Sequence, residues 1–266
     1  MSAGLKVRHV SKSFGGIKAV NDCNLEVEAG SVTGLIGPNG AGKTTLFNML
    51  AGAFAPTSGQ ILLGDEDITG LPSNELFGKG LLRTFQIAHE FSNMTAMENL
   101  MMVPGDQPGE NLFSTWFTPS IVRDREAEIK ARANEVIDFL AIDHIRNELA
   151  GNLSGGQKKL LELGRTMMID AKTVLLDEVA AGVNRTLLSS LTDNIQRMNK
   201  ELGYTFFVIE HDMDMIAKLC DPVIVMAQGT VMTQGHISDI RNNPEVIEAY
   251  FGSPPEHTPP AQGAST

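Results

Sequence analysis

The chain has 266 residues, 42% of them hydrophobic, enough for one sizeable core or a core with a smaller lobe. Its formal net charge of -11 argues against a nucleic-acid binder, which carries a basic face, and against direct attachment to an anionic membrane. Cys23 and Cys220 lie in no CxxC or Cys/His cluster, so idle thiols in a reducing cytosol are expected rather than a disulfide or a zinc site. The N-terminus "MSAGLKVRHV" lacks the apolar run of a signal peptide, and no stretch approaches the ~20 apolar residues of a spanning helix. A soluble, cytoplasmic chain is the expectation.

In chain order, residues 4–85 are predicted to be mostly strands and turns. "LKVRHV", "CNLEVEAGSVTGLIG" and "QILLGDEDIT" hold short apolar or alternating runs broken by Gly and Asp. One helix interrupts them, opening at Lys43 and Thr44. Residues 88–168 change character: "TAMENLMM", "DREAEIKARANEVIDFLAI" and "GGQKKLLELGRTMM" have helical spacing with charged faces. A Pro/Gly-rich stretch, "PGDQPGENLFSTWFTPS", sits inside this helical insert. Residues 172–250 return to short apolar runs, "TVLLDE", "TFFVIEH" and "PVIVMA", with the helical "RTLLSSLTDNIQRMNKEL" between the first two. Strand, helix, strand at this spacing implies crossover units and a parallel sheet. Residues 253–266, "SPPEHTPPAQGAST", read as a disordered Pro-rich tail.

"SVTGLIGPNGAGKTTLFNML" is a strand, a glycine-rich turn and a helix, and Gly37, Gly42, Lys43 and Thr44 satisfy G-x-x-x-x-G-K-[ST]. Such a loop turns its backbone N–H groups onto phosphate oxygens, and the helix adds the positive end of its dipole. Lys43 is placed to reach the terminal phosphates and the Thr44 hydroxyl to ligate Mg²⁺. A nucleoside triphosphate site follows.

Asp177 and Glu178 end the apolar strand "TVLLDE", and ligands gather at the carboxyl ends of parallel strands. Asp177 fits the holding of Mg²⁺ through its water shell; Glu178 fits a general base or water-positioning residue. His211 ends "FFVIEH" and is a candidate for the γ-phosphate and the attacking water. Gln86 ends "RTFQ" and is a candidate sensor of Mg²⁺ or that water. Phe14 is a candidate to stack on the adenine base. The acidic turn Asp65, Glu66, Asp67 lacks the Ca²⁺-loop spacing and reads as a solvated hairpin.

A second glycine pair lies in "NLSGGQKKLLELGR". Ser154 and Gln157 form an S-x-x-Q capping box, and the Ser cap alone contributes about 1 kcal/mol. A plain cap has no use for Gly155 and Gly156, each of which costs roughly 0.8–1.0 kcal/mol in helix propensity. Two glycines at the first helical positions uncover N–H groups for an approaching anion. The turn belongs to a different lobe from the phosphate loop, so it is expected to meet the nucleotide of another subunit.

"LSGGQ" resembles the signature motif of the ATP-binding cassette (ABC) family, and the order of motifs agrees as far as about residue 252. Phe14 is similar to the family's A-loop aromatic. Gly37, Pro38, Asn39, Gly40, Ala41, Gly42, Lys43, Thr44 and Thr45 are similar to Walker A, and Gln86 to the Q-loop. "TVLLDE" resembles Walker B with Glu178 as the catalytic carboxylate, His211 the switch histidine, and "AGVN" at 181–184 the D-loop.

The resemblance implies an α/β fold: a P-loop NTPase cassette with a RecA-like parallel-sheet core, an antiparallel β-subdomain and an inserted helical subdomain. Residues 1–252 would form one ABC ATPase domain, with core and β-subdomain at 1–87 and 169–252 and the helical subdomain at 88–168. It implies ATP and Mg²⁺, a second ATPase subunit (the same chain or a different one), and membrane permease subunits that dock through a coupling helix. Met94, Met97 and Met101 are candidates to line that docking groove, against ordinary core packing. The chain would then be peripheral, on the cytoplasmic face of the inner membrane.

Within the family, "TFQ…EFSNMTAMENL", "DEVAAGVN", "VIEHDMDMI" and "VIEAYFG" look most like bacterial importer ATPases for branched-chain amino acids or related small amides, which work with a periplasmic binding protein. ATPases of lipopolysaccharide export are the alternative. A soluble non-transport ABC ATPase and a small-molecule kinase are further readings, disfavoured by the single cassette, the acidic charge and the signature helix. Two departures stand out: Val179 follows Glu178 where the family has Pro, which is expected to loosen a backbone restraint, and Asn184 stands where many members have Asp.

Overall fold

The computed structural model describes residues 3–84, 90–105, 119–169 and 171–251. Two sheets carry these residues. One is antiparallel and combines β1 (Leu5–Phe14), β2 (Ile17–Val27), β4 (Ser58–Leu63) and β5 (Glu66–Asp67) in the order β2-β1-β4-β5. The other combines β3 (Val32–Ile36), β6 (Leu81–Thr84), β7 (Thr173–Asp177), β8 (Thr205–Ile209), β9 (Val223–Ala227) and β10 (Thr230–Gly235) in the order β10-β9-β3-β8-β7-β6. It is parallel except for β10.

Every residue of β3, β7, β8 and β9 is buried, as a parallel strand covered on both faces requires. Successive side chains serve opposite layers. Val174, Leu176, Phe206 and Val208 pack in the core shared with the helical insert. Leu175, Phe207 and Ile209 pack in a second core with Leu5, Val7 and Phe47, which joins the two sheets.

Helix α1 (Lys43–Leu50) follows β3, and α2 (Ser73–Gly78) precedes β6. The chain between β6 and β7 holds α3 (Ala96–Met101), α4 (Pro119–Leu140) and α5 (Gly155–Met167). Leu100, Val136 and Leu140 press against α5 at Gly164, where an added Cβ would lie 3.0–3.2 Å from all three. Beyond β7 come α6 (Arg185–Leu202), α7 (Met213–Leu219), α8 (Ile237–Arg241) and α9 (Pro244–Phe251). Asn184 caps α6, its side chain accepting from the Leu187 amide at 3.0 Å, and Gly203 ends it with φ 69°. Asn and Asp are equivalent caps, so Asn184 performs the capping that an Asp would.

One expectation changes. The segment before β6 contains α2, a six-residue helix that opens after Pro72 without a side-chain cap and is too short to show a period. Of the candidate groove methionines, Met97 is buried in the core and Met101 packs against it, as ordinary core packing requires. The exposed apolar groups beside them are Phe91 and Met102. Gln86, most of the Pro/Gly-rich stretch (106–118) and the tail lie outside the described residues.

Candidate active site

The phosphate loop runs from the end of β3 into α1. Gly37 sits so close to the Met226 carbonyl that any side chain would collide with it, and Gly42 is as tight against the Ala19 carbonyl. Pro38 is half-buried, Asn39 and Gly40 are exposed, and Ala41 is buried. Lys43 lies buried under the loop, its Nζ donating to the carbonyls of Gly37 (2.7 Å) and Pro38 (3.1 Å). Burial pushes the Lys43 ammonium below the usual lysine range, while the charges of Glu178 and Asp177 oppose that shift. Gly42 caps α1 without a side chain, so no cap competes for the first N–H groups of the helix. Thr44 is exposed on that first turn and Thr45 half-buried.

Asp177 and Glu178 meet this loop from the end of β7. Asp177 is buried, and its Oδ2 accepts from Arg83 Nη2 at 2.6 Å; Arg83 Nη1 also donates to Asn48 on α1 (2.6 Å). Glu178 has φ 51°, a left-handed conformation uncommon for a residue with a side chain. The turn projects its carboxylate into solvent, where Oε1 lies 3.6 Å from His211 Nε2.

The signature turn forms the expected capping box: Ser154 Oγ accepts from the Gln157 amide (3.4 Å), and Gln157 Oε1 accepts from the Ser154 amide (2.9 Å). Its two glycines differ. Gly155 is exposed, and an added Cβ would stand 3.6 Å from the Gly182 carbonyl. Gly156 is buried, and an added Cβ would lie 2.5 Å from Leu187 Cδ1 on α6. The second glycine is therefore also constrained by helix packing, which leaves no room for a side chain beside Leu187.

Phe14 lies at the end of β1, 49% exposed, which leaves its ring open to stacking. Phe54 meets it edge-on at 5.5 Å, and Lys12 Nζ stands over both rings. The structure thus gathers Lys43, Asp177, Glu178 and His211 around one loop. The signature turn lies on Leu187 and beside Gly182, past the far end of the Glu178 turn.

Several site groups had escaped the sequence reading. Arg83 holds Asp177. Lys158 pairs with Glu90 at 2.6 Å. Lys159 Nζ donates to the carbonyls of Glu178 (3.1 Å), Val179 (2.5 Å) and Ala181 (2.8 Å). Buried Glu210 accepts from the amides of Ala180 (2.5 Å) and His211 (3.0 Å). For Arg83 and Glu210 the one signal was a charge set in or beside an apolar strand, as in "LLRT" and "FFVIE". Val179, which stands where the family usually has Pro, has a fully buried side chain in this loop.

This geometry agrees with what the chain is similar to. Residues 20–181 match the family model described as ABC transporter. A probable branched-chain amino acid transport ATP-binding protein of Archaeoglobus fulgidus is 41% identical, covering 94% of this chain and 95% of that protein. High-affinity branched-chain amino acid transport ATP-binding proteins of Pseudomonas aeruginosa and Escherichia coli K12 are 39% and 38% identical, each covering 93% of this chain and 97% of theirs. Crystal structures of a nucleotide-free ATP-binding cassette from an ABC transporter and of the ADP conformation of such a cassette superpose with TM-score 0.80 at 34% identity. Both cover 95% of this chain, and 100% and 99% of theirs. The chain belongs to the ABC transporter family. It has the ABC cassette fold and is an ATP-hydrolysing subunit of that family.

Proposed function

We propose that the chain powers import of branched-chain amino acids or related small amides, as one of two ATPase subunits beneath membrane permease subunits fed by a periplasmic binding protein. The observation that supports this most is near-full-length similarity to branched-chain amino acid transport ATP-binding proteins, together with Lys43, Asp177, Glu178 and His211 at the strand ends around the phosphate loop. Residues 1–252 act as one unit, with the helical subdomain at 88–168. Among the described residues no helix is long and apolar enough to cross a membrane, which suits a peripheral subunit at the cytoplasmic face of the inner membrane.

In this reading the amides of residues 37–45 and Lys43 hold the phosphates, and Phe14 stacks on the adenine. Thr44 would hold Mg²⁺ by its hydroxyl and Asp177 through the water shell of the ion, oxygen donors that suit a hard divalent cation. When bound, Mg²⁺ neutralises charge on the phosphates. Glu178 accepts a proton from the attacking water, and His211 contacts the γ-phosphate. Gln86 is assigned the sensing of Mg²⁺ and that water. Ser154, Gly155, Gly156 and Gln157 present the tip of α5 to the nucleotide of the second ATPase subunit.

The test is uptake of labelled leucine, valine, isoleucine and a small amide by cells whose own chain is replaced by Glu178→Gln. Loss of uptake of these solutes supports the proposal. Intact uptake with a defect in lipid export would transfer the chain to the export alternative.

A further inference from the structure

The loop that carries Glu178 is held from both sides by two side chains, Lys159 and Glu210. Its carbonyls, those of Glu178, Val179 and Ala181, converge on Lys159 Nζ. Its Ala180 amide points the other way, onto Glu210 Oε1, and the second Glu210 oxygen takes the His211 amide. One carboxylate thus ties the turn after β7 to the residue after β8 that faces Glu178. Glu210 is 3% exposed, and its charge is the largest of those that hold the Lys159 ammonium up against the lowering effect of burial.

A strained backbone such as φ 51° at Glu178 persists where its surroundings over-determine it. Here the surroundings are these two side chains and the Glu178 amide, which donates to the Ile209 carbonyl at 3.0 Å. We propose that Lys159 and Glu210 are positioning residues for hydrolysis, a two-sided brace that fixes the turn and so sets Glu178 against His211. Lys159 stands two residues after Gln157, on the helix whose tip is assigned to the second subunit's nucleotide. The brace therefore links that tip to the hydrolytic carboxylate of the same chain. Its neighbour Lys158 makes the matching link to Glu90 after β6.

This inference rests on Glu178 being the hydrolytic carboxylate, so the experiment carries Glu178→Gln as its control. ATP turnover and equilibrium ATP affinity are measured on the full chain for Lys159→Met, Lys159→Arg, Glu210→Gln and the Met/Gln double variant. Displacing a reacting group by about 1 Å costs up to ~10²-fold, so Lys159→Met and Glu210→Gln are each expected to lower kcat by roughly 10–100-fold. ATP affinity and KM should stay within about threefold, because the phosphate loop is untouched, and Lys159→Arg should recover most of kcat. The double variant should fall little below the worse single one, since both act on one turn. Unchanged kcat in Lys159→Met, or kcat and affinity falling together, would overturn the brace. Should Glu210→Gln fail to fold, Lys159→Met and Lys159→Arg decide alone. Wild-type turnover by Glu178→Gln would overturn the hydrolytic assignment, and the brace with it; slow Glu178→Gln beside fast Lys159→Met would overturn the brace only.

Discussion

In the phosphate loop, Gly37 and Gly42 hold φ of 153° and 97°, and a side chain at either would run into a backbone carbonyl. In the turn at Ser154, Gly155 and Gly156 have helical backbone; one is open to solvent and the other is pressed against Leu187. The first loop needs glycine to exist at all, because its own chain occupies the space a side chain would take. The second needs it for what comes close: a neighbouring helix at Gly156 and, in our reading, a second subunit's nucleotide at Gly155. Two similar glycine-rich stretches therefore differ in whose nucleotide they serve.

The comparison orders the expected effects. The largest belongs to the carboxylate beside the first loop: Glu178→Gln should keep ATP binding and slow hydrolysis by ~10²–10⁴, about 3–5 kcal/mol of barrier. Single-turnover kinetics checks this, and wild-type turnover would remove Glu178 from its role. Next is Gly37→Ala, which should abolish ATP binding and destabilise the fold by about 1–3 kcal/mol, because the Met226 carbonyl is backbone and has nowhere to go. Calorimetric titration and denaturant unfolding read the two parts separately.

Gly156→Ala should destabilise by about 1 kcal/mol or more, as Leu187 must move to admit the methyl group. Gly155→Ala should be neutral to about 1 kcal/mol stabilising, since alanine is the better helix residue and the site is open. Equal unfolding midpoints for these two variants would erase the distinction drawn between the glycines. The smallest effect is that of Ser154→Ala, about 1 kcal/mol of lost cap, visible as a lowered midpoint with an unchanged denaturant slope.

Much of this was legible in the sequence because it is local. A phosphate loop is one strand, one turn and one helix, and "SVTGLIGPNGAGKTT" contains all three. The capping box at Ser154 and Gln157 and the helix from Arg185 to Leu202 are equally local. What stayed hidden depends on sheet order. Arg83 meets Asp177 across 94 residues because β6 lies beside β7, and no periodicity in either strand announces that pairing. Glu210 was overlooked beside His211 for the same reason: its partner, the Ala180 amide, comes near only when β7 and β8 pair. The packing constraint at Gly156 is hidden as well, because Leu187, on another helix, is invisible in "LSGGQ".

The central claim is that the turn at Ser154 serves a nucleotide other than the chain's own. The most direct test is the equilibrium ATP affinity of monomeric Ser154→Arg, measured beside the wild type. The account predicts equal affinity within about twofold, well under the 1.4 kcal/mol of a tenfold change. A tenfold or greater loss in the isolated monomer would mean that the turn binds the chain's own nucleotide, and the two-subunit account would fall.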